Sequence, residues 1–329
     1  MRPHYPQAAA AQPDVPEPHV AILLGLHNGG RWIRAQLDSI ARQSHTNWSL
    51  IVSDDGSVDD GPAVTERFRR SAAPGTVHGC AGPKRGFVRN YLSMLGRVPR
   101  DVGVVAFCDQ DDVWLTDRLT RACTALNSGP QDVPALYLST TLIAGPDLSL
   151  RGTSRPVRRR PCFANALVQC IGGGNTMAVN RAGLALLRAA APEALLATGG
   201  YGPASHDWWM YQMITGAGGR VIADPDPSLM YRQHGGNLSG SNRGLRAQLG
   251  RAAQILRGDA HRMSDRNLAA LLASAHRLTI ANRDVLNRFA AARALPPPMR
   301  LQAIARLGLH RQSRAGTVAL MLAAALGRV

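Results

Sequence analysis

Three carboxylates fall within four residues in "CDQDDVWL": Asp109, Asp111 and Asp112 follow directly on the apolar run "VVAFC". Acids this close repel one another unless something positive sits among them. Their oxygens are hard ligands, suited to Mg²⁺ or Mn²⁺ rather than to zinc, and such sites use one or two carboxylates with phosphate oxygens completing the shell. The loop lacks the glycine and the closing glutamate of an EF-hand. A helix cap at Asp109 or Asp112 would explain one acid but not three. A second acidic group, Asp54 and Asp55 in "SDDGS", follows the apolar run "WSLIV". Asp-Gly and Ser are ordinary turn residues, yet at a strand end Asp54 can accept hydrogen bonds from a nucleoside base or ribose. A third acid, Asp207 in "SHDWWM", precedes two tryptophans and suits a helix start.

The elements that must position these groups alternate. "VAILLGL" reads as a strand buried on both faces, and "RWIRAQLDSIARQS" carries apolar residues at helical spacing. "WSLIVS" is the next strand, a helix through Ala63–Arg70 follows with Ser57 or Asp59 as its cap, another covers Phe87–Leu95, and "VGVVAFC" is a further strand. This alternation predicts an α/β fold with a mainly parallel, Rossmann-like central sheet flanked by helices, in which ligands bind outside the carboxyl ends of the strands. "HNGG", "SDDGS" and "DQDD" all lie at such ends, so they should meet on one edge. Neither GxGxxG nor a P-loop is present.

The second half is less regular. "SRPVRRRP" is a basic loop bounded by prolines, and "CIGGGNTMAVN" is a glycine-rich turn entering an apolar segment. The glycines Gly173 and Gly174 would let backbone approach a ligand closely. Beyond residue 240, Leu245, Leu249, Ala252 and Leu256, and later Leu268, Leu271, Leu272 and Ala275, predict amphipathic helices interrupted by "ALPPPMR". The closing segment "AGTVALMLAAALGRV" is apolar but too short to span a bilayer. The expected division is a flexible leader over 1–18, a catalytic domain over 19–240 and a basic helical region over 241–329.

Composition narrows the classes. At 45% hydrophobic residues the chain is globular. The leader lacks the apolar core of a signal peptide, and five scattered cysteines without a CxxC suggest reduced thiols, which places the protein in the cytoplasm. The net charge is +16, and residues from 241 onward hold fifteen arginines, no lysine and three acids. Lys84 is the sole lysine. An arginine-rich helical tail suits an anionic membrane surface or nucleic acid. Few aromatics and no RNP-type or zinc-finger spacing argue against a nucleic-acid-binding module. A nucleotidyltransferase would want a basic glycine-rich loop near the N-terminus, which "LLGLHNGGRW" does not supply.

Six stretches in order, "VAILLGLHNGGRWIRAQLDSI", "WSLIVSDDGSVDD", "GFVRNYLSML", "VVAFCDQDDVWLTDRL", "GGGNTMAVNR" and "HDWWM", resemble family-2 glycosyltransferases of GT-A fold. "DQDDVW" with "HDWW" and "YRQHGGN" is most similar to their bacterial rhamnosyltransferase-like branch, which builds surface polysaccharides. The resemblance covers about Val20 to Gly240. It implies an inverting, metal-dependent transferase that moves a sugar from dTDP-rhamnose or a UDP-hexose to a hydroxyl of a glycan or lipid-linked acceptor. It assigns Asp109 and Asp111 to the Asp-x-Asp motif, with Asp111 on Mn²⁺ or Mg²⁺, Asp109 nearer the ribose, and Asp112 supporting the loop. It assigns Asp54 to the base of the donor, Asp207 to proton abstraction with His206 in the place of the usual Glu, and His234 to the cation's shell. The first loop departs from the usual Thr-Tyr-Asn-Gly and puts His27 and Asn28 at the nucleobase-facing position. Asp55, Lys84, Asn90 and Gln110 are further donor-site candidates. Gly173, Gly174, Asn175 and Trp208 would line the donor or acceptor, and Arg232 would offer charge to the diphosphate. The basic tail then suits peripheral attachment to the inner face of a bacterial plasma membrane, where lipid-linked acceptors lie.

Overall fold

The computed structural model describes residues 17–235 and 259–328. The expected leader, apart from Glu17 and Pro18, lies outside the described residues, as does the predicted helix through Leu245 and Leu256.

The first half follows the predicted alternation: β1 (Val20–Leu26), α1 (Gly30–Ala41), β2 (Trp48–Asp54), α2 (Gly61–Ser71), β3 (Val77–Ala81), α3 (Phe87–Leu95) and β4 (Val104–Cys108). These strands pair in parallel in the order β3-β2-β1-β4. The continuous apolar runs are needed because both faces are covered. Ile22, Leu24 and Ala106 pack with α1 and its neighbours on one face; Leu23, Val105 and Phe107 pack on the other with α3 and later helices.

Across β4 the sheet becomes mixed. β8 (Ala178–Asn180) is antiparallel to β4 and to β6 (Ala135–Ala144). β9 (Arg220–Arg232) runs parallel to β6, and the two-residue β5 (Val113–Trp114) closes the path antiparallel to β9. A short β7 (Leu150–Thr153) pairs with β6. The sheet is therefore mainly parallel only on its N-terminal side. β9 carries Pro225 and Pro227, tolerated where its register against β6 shifts between Ser139 and Leu142. Those prolines hide a 13-residue strand from a reading by pattern.

The cap expected for α2 is corrected. Asp60 takes the N-cap position without a side-chain bond, and Asp59, one residue earlier, serves both helix starts: Oδ1 accepts from the Gly61 amide at 3.0 Å and Oδ2 from the Gly30 amide at 2.7 Å. After α4 (Arg118–Asn127) and α5 (Phe163–Ala166), α6 (Arg181–Ala197) is capped by Asn180 and contains Pro192. Next come α7 (His206–Gly216), α8 (Asp259–Ala273), α9 (Ile280–Ala294), α10 (Pro297–Arg306) and α11 (Arg314–Ala325). The proline run that ends α9 also opens α10, where a fixed φ and a missing N–H cost nothing. Ala270, Leu271, Leu286, Phe289, Ile304 and Leu320 join the same core as α3, α6 and α7. Among the described residues no helix is long and apolar enough to cross a membrane.

Candidate active site

The three strand-end motifs meet, and hydrogen bonds tie them together. Gln110 grips the first loop at both amide ends: Oε1 accepts from the His27 amide at 2.8 Å and Nε2 donates to the His27 carbonyl at 3.0 Å. Asn28, at a φ of 50°, accepts from the Val58 amide at 2.9 Å while its own amide donates to Ser57 Oγ at 2.9 Å. Ser57 in turn donates from Oγ and N to Asp54 Oδ1, at 2.6 and 2.9 Å. The glycines of "HNGG" follow from these contacts, since a Cβ on Gly29 would strike Gln110 and one on Gly30 would strike Asp60.

Several donor-site candidates turn out to be occupied by the protein itself. Asp55 is buried, with Oδ1 accepting from the Lys84 amide at 2.6 Å and Oδ2 from the Gly86 amide at 2.7 Å. Asn90 is buried and bonded at both ends to Ser53. These two hold the loop between β3 and α3 against β2. The exposed Lys84 lays its aliphatic chain over Gly56, where a Cβ would come within 3.2 Å.

The Asp-rich loop is arranged differently. Tyr91 Oη donates to the Cys108 carbonyl at 2.7 Å and to Asp109 Oδ1 at 2.8 Å. Burial, then the neighbouring Asp111 carboxylate, push Asp109 up to about 7, and Asp207 adds to the effect. Asp111 Oδ2 lies 2.9 Å from His234 Nε2. Asp112 is 0% exposed; its Oδ2 accepts from Asn175 Nδ2 at 2.5 Å and its Oδ1 from the Arg232 amide at 3.2 Å. Asp112 caps no helix, since Asp117 stands before α4. Burial first, then Asp111 and Asp109, raise its carboxyl well above the usual range. Beneath the loop the buried Arg118 guanidinium donates to the Asn175 carbonyl at 2.7 Å and to Ser228 Oγ at 2.8 Å.

Asp207 sits in the first turn of α7, half-buried. Its Oδ1 accepts from Ser205 Oγ and from the Trp208 amide, the latter at 2.7 Å. Among the described residues its Oδ2 has no hydrogen-bond partner. Beside it, His206 is 5% exposed, and neither ring nitrogen finds a hydrogen-bond partner among the described residues. Its ring stacks on Tyr91 at 4.1 Å, and burial lowers its pKa against the opposing pull of Asp207. Gly174 is glycine because His206 occupies the place of a Cβ. A Cβ on Gly173 would meet Asn175 Oδ1 at 2.6 Å. Trp208 donates from Nε1 to the Ala166 carbonyl at 2.6 Å, and Trp209 is core.

Four further residues shape the site. The Trp32 ring carries the Arg31 and Arg232 guanidinium groups at 4.3 and 4.6 Å and stacks with His234 at 5.1 Å. Arg232 Nε also donates to the Asp111 carbonyl at 2.8 Å, so α1 and the end of β9 clamp the Asp loop together. Tyr91 and Arg118 act from beneath. None of the four has a signal of its own in the sequence, because each reads as an ordinary amphipathic-helix residue.

As to a cation, no three His, Cys, Asp or Glu side chains converge tightly enough among the described residues to enclose one. Asp111 with His234 gives part of a shell, one carboxylate oxygen and one imidazole nitrogen. That set suits a divalent ion whose remaining positions come from a phosphorylated ligand.

Residues 22–139 match the glycosyl transferase family 2 profile. The chain is 24% identical over 244 residues to "dTDP-rhamnosyl transferase RfbG" of Shigella flexneri, across 70% of this chain and 78% of that protein. It is 30% identical over 104 residues to the Escherichia coli "UDP-Glc:alpha-D-GlcNAc-diphosphoundecaprenol beta-1,3-glucosyltransferase WfgD", 30% of this chain and 38% of that one. Among solved structures, S. aureus TarS 1-349 superposes with a TM-score of 0.55 at 14% identity, covering 94% of this chain and 88% of that chain, a likeness of fold. Six ordered motifs, three joined strand ends and these likenesses agree: residues 22–139 match the family-2 glycosyltransferases, and the chain is similar to a rhamnosyl and a glucosyl transferase, on a GT-A-like α/β fold.

Proposed function

We propose that the protein transfers a sugar, with inversion and with a divalent cation, from a nucleotide-diphosphate donor to a hydroxyl of a glycan or lipid-linked acceptor. One observation carries this reading: Tyr91 bonds Asp109 after β4 at 2.8 Å and stacks at 4.1 Å on His206, the neighbour of Asp207 at the start of α7, so the two carboxylates lie on one cleft. An acid that holds the donor's metal and an acid that takes the acceptor's proton must share one cleft. The similarity to the Shigella rhamnosyl transferase supports dTDP-rhamnose as donor, and that to the Escherichia glucosyltransferase supports a UDP-hexose.

Asp111 and His234 would hold Mn²⁺ or Mg²⁺, which as a Lewis acid offsets charge on the departing diphosphate. Asp54, with Oδ1 bound by Ser57, keeps Oδ2 for the base of the donor, beside His27. Asp109 faces the ribose, and Tyr91 fixes its rotamer. Arg31 and Arg232, stacked on Trp32, place positive charge beside the diphosphate. Asp207 Oδ2 takes the proton from the acceptor hydroxyl as its oxygen attacks the anomeric carbon. Ser205 and the Trp208 amide hold the other oxygen still, which orients the base.

A panel of sugar nucleotides tests the reading. The true donor should raise the melting temperature in Mn²⁺ and not in EDTA. Asp207→Asn should keep that donor-induced shift while losing transfer. Transfer at the wild-type rate in Asp207→Asn, or in EDTA-treated protein, overturns it.

A further inference from the structure

We propose that α11 and the arginine loop beside it form a docking face for an anionic lipid surface. α11 is amphipathic in an unusual sense: its outer face is as apolar as its inner one. Leu320 and Ala324 pack inward, while Val318, Leu322 and Leu326 are 59%, 61% and 66% exposed. Ala315 and Ala319 continue the same exposed stripe. No charged residue lies between Arg314 and Arg328, the two ends of this segment.

The neighbouring α9 shows what a solvated helix of this protein looks like. Its outer face carries Arg283, Asp284 and Arg288, with Asp284 and Arg288 3.4 Å apart. The bare stripe on α11 is therefore a local feature and not a habit of an alanine-rich chain. Isolated exposed apolar residues need no explanation, but a contiguous stripe along one helix marks an interaction site.

The rim of the stripe names the partner. The loop over residues 154–161 exposes Arg155, Arg158, Arg159 and Arg160. It is pinned to the base of α11: Gln312 Oε1 accepts from the Arg158 and Arg159 amides at 3.0 and 2.8 Å, and Gln312 Nε2 donates to the Arg159 carbonyl at 3.2 Å. The sequence contains no Asp or Glu between 148 and 192 or from 285 onward, so neither segment that builds the face carries an acid of its own. Apolar side chains flanked by arginine are what an interfacial helix presents to anionic headgroups, the stripe entering the acyl boundary and the arginines staying at its surface. At about 18 Å, twelve residues cannot cross a bilayer, so the helix lies in its plane.

A second copy of the chain is the competing occupant. A two-fold contact sets like against like, which here would oppose arginines with arginines, so charge favours lipid over self-association. The inference stands apart from the glycosyl-transfer reading, because it depends on neither donor nor reaction.

Co-sedimentation with vesicles tests it, using pure phosphatidylcholine and an equal-parts mixture of phosphatidylcholine and phosphatidylglycerol. The wild-type chain should sediment with the mixture only, and less at higher salt. Val318→Glu combined with Leu322→Glu should lower the partition coefficient roughly tenfold or more, with the donor-induced melting shift unchanged. Arg158→Gln with Arg159→Gln should lower it roughly fivefold per arginine, and this loop variant keeps the test decisive if the helix variant melts early. Equal binding to both vesicle types, unchanged partitioning in both variants, or a wild-type dimer that the helix variant dissociates without any vesicle binding would each overturn the proposal.

Discussion

Two acid-rich strand ends, "SDDGS" after β2 and "DQDD" after β4, are alike in sequence and opposite in physics. In the first, backbone and side-chain donors of the protein satisfy the carboxylates: Ser57 on Asp54, and the Lys84 and Gly86 amides on Asp55. In the second, Asp109 and Asp111 confront each other, and burial with mutual repulsion pushes Asp109 up to about 7. Acids bonded by the chain's own donors shape a loop. Tyr91 on Asp109 and His234 on Asp111 leave that repulsion in place, and acids so held gain from a nearby positive charge. The contrast separates Asp55, which the chain's own amides hold in its loop, from Asp109 and Asp111, whose repulsion a positive charge would relieve.

The sharpest way to break this contrast is to neutralise one acid of each kind. Asp111→Asn should lower transfer by about 10³-fold or more, the loss of several kcal/mol of charge stabilisation, with folding stability unchanged or raised. Steady-state rates and a thermal melt on the same preparation check both halves. Asp55→Ala should do the reverse, costing about 2–4 kcal/mol because the Lys84 and Gly86 amides lose charge-assisted bonds to a buried carboxylate; denaturant unfolding reads it. A rate loss in Asp55→Ala with unchanged stability would mean that the contrast is drawn in the wrong place.

Smaller effects sharpen it. Trp32→Ala removes the ring shared by Arg31, Arg232 and His234, and Mn²⁺ affinity by titration calorimetry should fall roughly tenfold, as for loss of an outer-shell support, with Trp32→Phe recovering part of it. The pH response of stability carries a sign. Asp109 binds its proton more tightly folded than unfolded, so its contribution is complete below 3.8 and lost as pH rises through about 7. In EDTA the melting temperature should decline over that window, and Asp109→Asn should flatten the decline. Asp54→Asn, which keeps an oxygen for the Ser57 turn, should have the smallest effect on stability, within about 0.5 kcal/mol.

Much of the N-terminal half was legible because its signals are local. Continuous apolar runs such as "VAILLGL", short and broken by "HNGG", read as strands covered on both faces, and "RWIRAQLDSIA" repeats at helical spacing. The placement of "HNGG", "SDDGS" and "DQDD" on one edge followed from strand direction alone, and the Gln110–His27 and Asn28–Ser57 bonds realise it. The second half resisted because prolines interrupt β9 and α6, and because the mixed sheet depends on pairings between distant segments. Asn90 read as a donor-site candidate and instead bonds Ser53 at both ends, a partner 37 residues away that no spacing rule reveals.

The sequence by itself determined the chemistry on offer: acids at strand ends, a helix-opening Asp207, an α/β alternation and an unbalanced positive charge. Residue type and position relative to a strand are enough for that. Only the tertiary structure decided which acids are available and which are already bonded, since a carboxylate's role depends on what lies within 3 Å of it. It also decided that Trp32, Tyr91 and Arg118 serve the site, and that α11 turns its apolar face outward. Each of these is a fact about neighbours brought together from far apart in the chain, and no stretch of residues read alone contains it.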